Sequence, residues 1–371
     1  MATTVVHVIV SLVHGGAERT LTRIVPDGGI DDDGNRHLIV TLRSGGAFAP
    51  ELQDRGVPVV SLGMRPGPSA VRGWWRLVRL LREVRPELVL SWLYHSDLMA
   101  TLAVPFARRP RLVWNLRGTA KLPAGSPWHT RLTVHLLARL SRRPWAVAAN
   151  SHAGRRDHEA LGYRPRRWIH LPNGIDTDRW RPDVADRAAV RAELGLSDDE
   201  VACVAVARVH PQKDHATLLA ALDRLGDRAA DRRVRLLLVG EGTTQLQIAD
   251  GLASSVLALG PRDDLPRLLR GADLAVLASA YGEGLPNVVA EAMATGLPAV
   301  VTDVGDAAEL VGNTGWVVAP GDAAGLAEAL RTAVDAGDEQ RAARGAAARR
   351  RVAQGWSLDG SLAAYRALWT R

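Results

Sequence analysis

The stretch "EGLPNVVAEAMATGLPAVVTDVGDAAELV", Glu283–Val311, reads as a loop, a helix and a buried strand in succession. Pro286 suits the first helical position, where no N–H is needed and φ is already right. Val288, Val289, Ala292 and Met293 recur at a helical period. Gly296 fits a C-terminal stop, and "LPAVVTD" follows as a strand. The amides of Leu285, Asn287 and Val288 then lie at a free helix N-terminus, which suits an anion, phosphate above all. Glu283 precedes the first turn, and Glu291 sits roughly one and a half turns in. A ligand with a central phosphate and hydroxyl-rich ends, the shape of a nucleotide sugar, would meet an amide cradle flanked by two carboxylate acceptors. The plain alternative is a helix start whose dipole favours acids. On this stretch alone both readings stand.

Outward from this stretch, strand-like and amphipathic helical runs alternate along the chain. "VVHVIVSL", "HLIVTL", "VPVVSLG", "ELVLSWL", "RLVWNL" and "WAVAANS" form a first series. After "RRWIHLPNGID" a second begins: "VACVAVAR", "VRLLLVGEG", "SVLALG", "LAVLAS" and "LPAVVTD". Alternating βα units imply parallel sheets covered by helices on both faces, and continuous apolar strands agree. The expected class is therefore α/β, with two Rossmann-like domains. The break is expected near "LPNGIDTDRWRPD", giving domains 1–175 and 176–355, with a separate helical segment over 356–371.

The 371 residues are enough for two sizeable cores, and the 47% hydrophobic content excludes a disordered chain. The single cysteine, Cys203, lies in an apolar run and reads as core; a disulfide within the chain is excluded. No signal peptide or membrane span is apparent, so a cytoplasmic enzyme is expected, with peripheral contact at the inner membrane face as an option. Residues 1–182 hold 27 Lys+Arg against 14 Asp+Glu, and the remainder holds 20 against 26. The front half also holds eight of the eleven tryptophans. Such a basic half could face an anionic membrane or acceptor. Nucleic acid is not expected, because no groove-reading or RNA-binding signature is present. Lys121 and Lys213 are the only lysines, in an arginine-rich and alanine-rich chain of the kind a GC-rich genome encodes.

Ligands on open α/β sheets bind beyond the carboxyl ends of the strands. After the first strand, Gly15 and Gly16 let a ligand approach the backbone, and Glu18 opens the next helix. An ordinary tight turn explains the same residues. After "VACVAVA", Arg208 and Lys213 offer a planar fork and a point charge to a diphosphate; solvated cations are the alternative. Gly260, Pro261 and Arg262 could present backbone groups to a flat base. His95, Ser96 and Asp97 follow the fourth strand, although Ser96 or Asp97 could simply cap the next helix. Asn115 and Arg117 follow the fifth strand, ahead of a Gly/Pro-rich loop with Lys121 that could shape an acceptor pocket. "RGWWRLVRLLREVRP" reads as a sheet-covering helix with Arg72, Arg76 and Arg79 on one face and Trp75, Val78 and Leu81 on another, with membrane contact as the lesser alternative. Gly240-x-Gly242-x-x-Gln245 lacks the third glycine of a dinucleotide fingerprint, which leaves an oxidoreductase as a minor alternative. The acidic pair in Asp176–Asp178 reads as connector chemistry rather than a metal site.

Taken together, "HGGAERTL", "LPNGID", "ARVHPQKDHATLLAAL" and the Glu283–Val311 stretch resemble the GT-B retaining glycosyltransferases, family 4. The resemblance covers nearly the whole chain, and the Glu283-x7-Glu291 spacing is its signature. It implies two parallel-sheet domains facing a deep cleft, with the C-terminal helix crossing back to the first. It implies that Arg208 and Lys213 bind the donor diphosphate and stabilise the leaving nucleotide. Glu283 would touch the sugar hydroxyls, Glu291 the ribose, and Gly284, Leu285, Pro286, Asn287 and Val288 the phosphate and sugar. Gly15 and Gly16 would approach the diphosphate, and Gly260 and Arg262 would complete the donor site. Glu18, His95, Asn115 and Lys121 would face the acceptor. Many relatives carry a histidine where this chain has Arg117. Arg117 or His95 would take its place beside the reacting carbon.

The implied reaction is transfer of a hexose or N-acetylhexosamine from a UDP-sugar, with retention, to a lipid-linked saccharide or a secondary-metabolite hydroxyl. No cofactor and no metal are expected. A GT-B-like UDP-sugar epimerase and a non-catalytic nucleotide-sugar-binding protein are the rival readings.

Overall fold

The computed structural model describes residues 2–13, 15–65, 67, 69–120, 127–229 and 232–370. The chain divides into two compact units, Met1–Pro172 with Ser361–Arg371, and Asn173–Gly360.

The first unit contains β1 (Thr4–Ile9), α1 (Gly16–Ile24), β2 (Arg36–Thr41), α2 (Phe48–Asp54), β3 (Val59–Ser61), α3 (Ser69–Val84) and β4 (Leu88–Trp92). There follow α4 (Tyr94–Ala103), β5 (Arg111–Leu116), α5 (Trp128–Leu140), β6 (Ala146–Ala149), α6 (His152–Ala160) and β7 (Trp168–His170). The seven strands are parallel, in the order β3-β2-β1-β4-β5-β6-β7. Alternate residues of β1 serve opposite cores: Val5 and Ile9 pack on one face, Val6 and Val8 on the other. That double burial is why the strand is apolar without a break.

The second unit contains α7 (Val184–Glu193), β8 (Glu200–Val206), α8 (His215–Leu225), β9 (Arg228–Ala229), β10 (Arg232–Val239), β11 (Val256–Gly260), α9 (Leu265–Arg270) and β12 (Leu274–Leu277). It continues through α10 (Asn287–Ala294), β13 (Ala299–Thr302), α11 (Ala307–Val311), β14 (Trp316–Val318), α12 (Ala323–Asp335) and α13 (Gly337–Gly355). The parallel order is β11-β10-β8-β12-β13-β14, with β9 antiparallel against β10. Again the central strand feeds two cores, through Val201, Cys203 and Ala205 on one side and Ala202 and Val204 on the other. Cys203 is buried, as expected, and burial pushes its thiol up to about 12.

The last helix, α14 (Leu358–Trp369), begins in the second unit, and its Ser361–Trp369 portion belongs to the first. Tyr365, Leu368 and Trp369 enter the same core as Val5, Ile9 and Leu21. The edge of Trp369 caps two buried histidines, His7 and His37, whose rings stack and share a 3.1 Å hydrogen bond. Thr3 Oγ1 donates to the Trp369 carbonyl at 3.0 Å, tying the first strand to the last turn.

Three readings of local structure change. Pro286 is the N-cap of α10, so the helix starts one residue later than expected, at Asn287. Its far end is as read: Gly296 has φ +90, and Gly296 and Leu297 donate back to Met293 and Ala292 in a Schellman closure. After β10 two 3₁₀ turns (Thr243–Gln245 and Asp250–Leu252) follow rather than an α-helix, so Gly240 and Gly242 do not open a dinucleotide-binding helix. On α3, Val78 and Leu81 are buried as expected, but Trp75 is exposed.

Candidate active site

In each sheet the strand order reverses at one point, between β1 and β4 in the first unit and between β8 and β12 in the second. The crevice beyond the carboxyl ends at such a reversal is where open α/β sheets bind ligands.

In the second unit the β8 and β12 loops meet there. The Gln212 carbonyl accepts the Ala280 amide at 2.8 Å, and Gln212 Nε2 donates to the Gly282 carbonyl at 3.1 Å. This joint sets Lys213, the last residue of a 3₁₀ turn, against Glu283: Nζ to Oε1 is 2.5 Å. Ser279 Oγ donates to the same carboxylate oxygen at 2.6 Å. Thr302 Oγ1 on β13 donates to the Ser279 carbonyl at 2.7 Å, fixing the end of β12. The lysine and glutamate side chains are 20% and 10% exposed, so the pair is mostly withdrawn from solvent yet still reachable.

Asp214 occupies the left-handed region, with φ 47, where Asp is among the better-tolerated side chains. It caps α8 through the Thr217 amide and turns the chain directly after Lys213. The turn Val304–Asp306 presses on the Glu283 loop from the other side. Gly305 has φ +70, and a Cβ there would fall on the carbonyl oxygens of Glu283 and Gly284. The Asp306 amide donates to the Gly284 carbonyl at 2.9 Å.

Among the described residues, the amides of Leu285, Asn287 and Val288 have no acceptor, as the free start of α10 requires. Asn287 Oδ1 accepts from Asn173 Nδ2 at 2.6 Å, which anchors the helix start to the "LPNGID" segment. Glu291 is buried on α10. Arg208 stands at the end of β8 with an exposed side chain that makes no ion pair among the described residues. Its amide lies close to Gly240, where φ is +142 and any Cβ would collide with the Ala207 carbonyl.

Two donor expectations are corrected in this unit. The Arg262 guanidinium is taken up by Asp264 at 2.7 Å and Glu193 at 3.0 Å, within a network shared with Arg267. Two carboxylates engage the fork, three of whose hydrogen bonds go to Asp264 and Glu193. The Gly260 amide donates to Thr243 Oγ1 at 3.1 Å and is not open to a base. Asp176, read as connector chemistry, accepts the amides of Asp178 and Arg179.

In the first unit, Gly15 caps α1 and Gly16 is its first residue. Space opens above Gly16, where a Cβ would meet nothing within 4 Å. The Glu18 carboxylate curls back over Gly15, and burial raises its pKa. Across the reversal, α4 starts from Leu93, which has φ 69 and ψ 158. A non-glycine residue held there stores strain of the order of 1–3 kcal/mol, and such strain concentrates at functional turns. His95 follows two residues later. Burial first, then His129 and Arg43, hold its ring below the ordinary histidine range, so it is neutral near pH 7. The His129 ring lies 5.8 Å away.

Asn115 and Arg117 do not fit the roles expected of them. Asn115 is fully buried and donates to Tyr365 Oη at 3.1 Å, which leaves no route to an acceptor. Arg117 donates to the Leu171 carbonyl and Tyr365 Oη, each at 3.1 Å, and to Thr20 Oγ1 at 3.0 Å, with Trp92 beneath it. Its donors join α1, the end of β7 and α14, a structural clamp rather than a substrate contact. Asp97 and Ser96 are likewise buried, with Asp97 accepting Ser91 Oγ at 2.6 Å. Lys121 lies outside the described residues.

Sequence reasoning missed Ser279, Asn173 and Gly305. Ser279 carried a usable signal, a hydroxyl at a strand's carboxyl end four residues before Glu283.

A family model described as Glycosyltransferase Family 4 matches residues 14–179, and one described as Glycosyl transferases group 1 matches residues 200–336. Between them the matches take in the site loops of both units. The chain belongs to glycosyltransferase family 4. This family 4 chain is 35% identical over 198 residues to the D-inositol 3-phosphate glycosyltransferase of Nocardia farcinica, covering 50% of the chain and 43% of the relative. It is 37% identical over 205 residues to the GDP-mannose-dependent alpha-(1-6)-phosphatidylinositol monomannoside mannosyltransferase of Mycolicibacterium smegmatis, covering 51% of each. It spans about half the length of the curated relatives it matches. Among solved structures, the family 4 fold is shared with HepE of Anabaena in complex with UDP, with a TM-score of 0.83 at 24% identity over 99% of each chain. A glycosyltransferase from Rickettsia africae superposes with a TM-score of 0.84 at 16% identity, over 99% of this chain and 98% of its own.

Proposed function

We propose that this chain transfers a hexose or N-acetylhexosamine from a UDP-sugar to an acceptor hydroxyl, with retention at the anomeric carbon. The observation that carries the reading is the Lys213–Glu283–Ser279 cluster beside the open amides of Leu285, Asn287 and Val288. One cation, one acceptor and a row of N–H donors at a single strand edge match a diphosphate joined to a polyhydroxylated ring.

In this reading the ammonium of Lys213 and the guanidinium of Arg208 meet the charge that builds on the diphosphate as the sugar–oxygen bond breaks. Preorganised donors of this kind account for the largest share of many rate enhancements. Glu283 accepts hydroxyls of the transferred sugar, Glu291 the ribose hydroxyls, and the amides of Gly284, Leu285, Asn287 and Val288 hold phosphate and sugar. The acceptor hydroxyl attacks on the face the diphosphate leaves. In the first unit Gly16 is the group proposed for the donor, and neutral His95 and Glu18 those for the acceptor. A lipid-linked saccharide or secondary-metabolite aglycone is the proposed acceptor.

The test is incubation with UDP-glucose, UDP-N-acetylglucosamine and GDP-mannose against an acceptor panel, with the product's anomeric configuration read by NMR. An axial linkage from an axial UDP-sugar supports the reading. Inversion, turnover with GDP-mannose alone, epimer formation, or binding without turnover each overturns it.

A further inference from the structure

We propose that the amino-terminal edge of β5–β7 holds a site for the phosphodiester headgroup of an anionic phospholipid, with the outer surface of α5 resting on the same membrane. A cavity of about 670 Å³ opens at this edge, at the opposite end of the sheet from Gly16 and His95. Arg109, Arg111, Arg142, Arg143 and Arg166 line it, and no carboxylate does. An arginine-rich genome scatters guanidinium groups; it does not exclude all 40 acidic residues from one hollow. Arg109, Arg142, Arg143 and Arg166 form no ion pair among the described residues. One guanidinium nitrogen of Arg111, Nη1, is buried without a partner there. The Trp145 ring carries both Arg111 and Arg167, at 5.4 and 4.6 Å from its centroid, which stiffens the wall. Arg142 and Arg166 also line an adjoining hollow of about 610 Å³. Glu159 lines that second hollow and Glu87 lies near Arg111, but the first hollow has no carboxylate on its own wall, and converging forks of this kind suit phosphate.

The surface leading to this cavity selects a lipid as the source of the phosphate. On α5, Trp128, Leu132 and Leu136 fall at i, i+4 and i+8, and Trp128 and Leu132 are 75% and 57% exposed. The helix carries no acidic residue, and Arg131 and Arg139 flank the stripe. It runs from Trp128 down to Leu140, two residues before Arg142 of the cavity. Leu102 and Phe106, at the cavity end of α4, add exposed apolar side chains. Trp75 is in edge contact with Trp74, and Trp74 with Phe106. A tryptophan and leucines with arginines beside them and no acids lie well in the headgroup region. No described helix is long and apolar enough to cross a membrane, so the contact is peripheral.

The inference goes beyond the donor reading and does not depend on it. The experiment is co-sedimentation of the full chain with vesicles of phosphatidylcholine alone and of phosphatidylcholine with 30% phosphatidylglycerol, about physiological salt. The intact chain should bind the anionic vesicles and be released by high salt. Arg142→Gln/Arg143→Gln/Arg166→Gln should weaken that binding roughly a hundredfold, each basic side chain contributing about fivefold at an anionic surface. Trp128→Ser should weaken it without changing the preference for phosphatidylglycerol. UDP affinity and thermal transition serve as the fold controls and should be unchanged in both variants. Equal binding to both vesicle types, retention by the triple variant, or saturation by inorganic phosphate with no vesicle binding each overturns the proposal.

Discussion

Replacing Lys213 by alanine removes the one cation that pairs with the Glu283 carboxylate among the described residues, at 2.5 Å. The sequence alone pictures an exposed cleft lysine whose loss lowers stability only modestly. The structure changes that expectation. A solvent-exposed ion pair contributes about 0–1 kcal/mol, and breaking a fully buried one costs about 3–5 kcal/mol. With side chains 20% and 10% exposed, this pair falls between those limits, and about 2–3 kcal/mol is the expected loss. For a unit of this size that lowers the thermal midpoint by roughly 4–12 °C. Most of the loss comes from a carboxylate left with Ser279 as its remaining donor. Glu283→Gln in the same chain should therefore restore most of the midpoint, because a neutral amide still accepts from the serine. Transfer should not return: losing a donor aimed at developing charge costs roughly 100- to 1,000-fold. Scanning calorimetry on Lys213→Ala, Glu283→Gln and the double variant, with initial rates of transfer, separates the two effects. If Lys213→Ala melts with the wild type, or the double variant melts below both singles, the pair is not the strut described. If Lys213→Ala turns over normally, the diphosphate assignment is wrong.

Gly305→Ala should displace the Glu283 loop, since its Cβ falls on two carbonyl oxygens at φ +70; UDP affinity should drop at least tenfold, and unchanged calorimetric binding would count against the packing argument. Arg117→Gln should lower the melting midpoint by several degrees while leaving the KM for donor unchanged, because its contacts are Leu171, Tyr365 and Thr20; a raised donor KM would restore it to the active site. Stability should also fall as pH drops through about 6.5, the ordinary histidine value. Burial, then the neighbouring His37, depresses the pKa of His7; burial also depresses that of His37, against the opposing pull of Asp31. The unfolded chain thus takes up protons that the folded chain refuses, and ν_U exceeds ν_N below that pH, so the stability present above it is lost. His7→Asn should make the fall in midpoint between pH 7.5 and 5.5 shallower, the remainder coming from the other depressed histidines; an unaltered slope places the titration elsewhere.

The strands that sequence made legible are those buried on both faces, because continuous apolar runs such as "RLVWNL" announce themselves; β5 spans those same residues. The three-residue β14 and the two-residue β9 are too short to carry any period, and neither was foreseen. The site was legible where chemistry is local: Glu283, Lys213 and the α10 start are marked by glycine, proline and a rare lysine. It was obscure where a side chain's neighbour comes from far along the chain. Asn115 and Arg117 sit two residues apart at a strand end, as catalytic residues do. What occupies them is Tyr365, 250 and 248 residues downstream, which no local pattern can announce. Arg262 shows the same limit, since Glu193 lies 69 positions upstream.

The return of Ser361–Trp369 to the first unit has a consequence for synthesis. On the ribosome the first 172 residues emerge with the groove that receives Tyr365, Leu368 and Trp369 still vacant. At about 5–20 residues per second, the roughly 190 residues of the second unit take on the order of 10–40 s to follow. For that interval the stacked histidines lack their tryptophan lid. The whole second unit must be made before the core of the first can close.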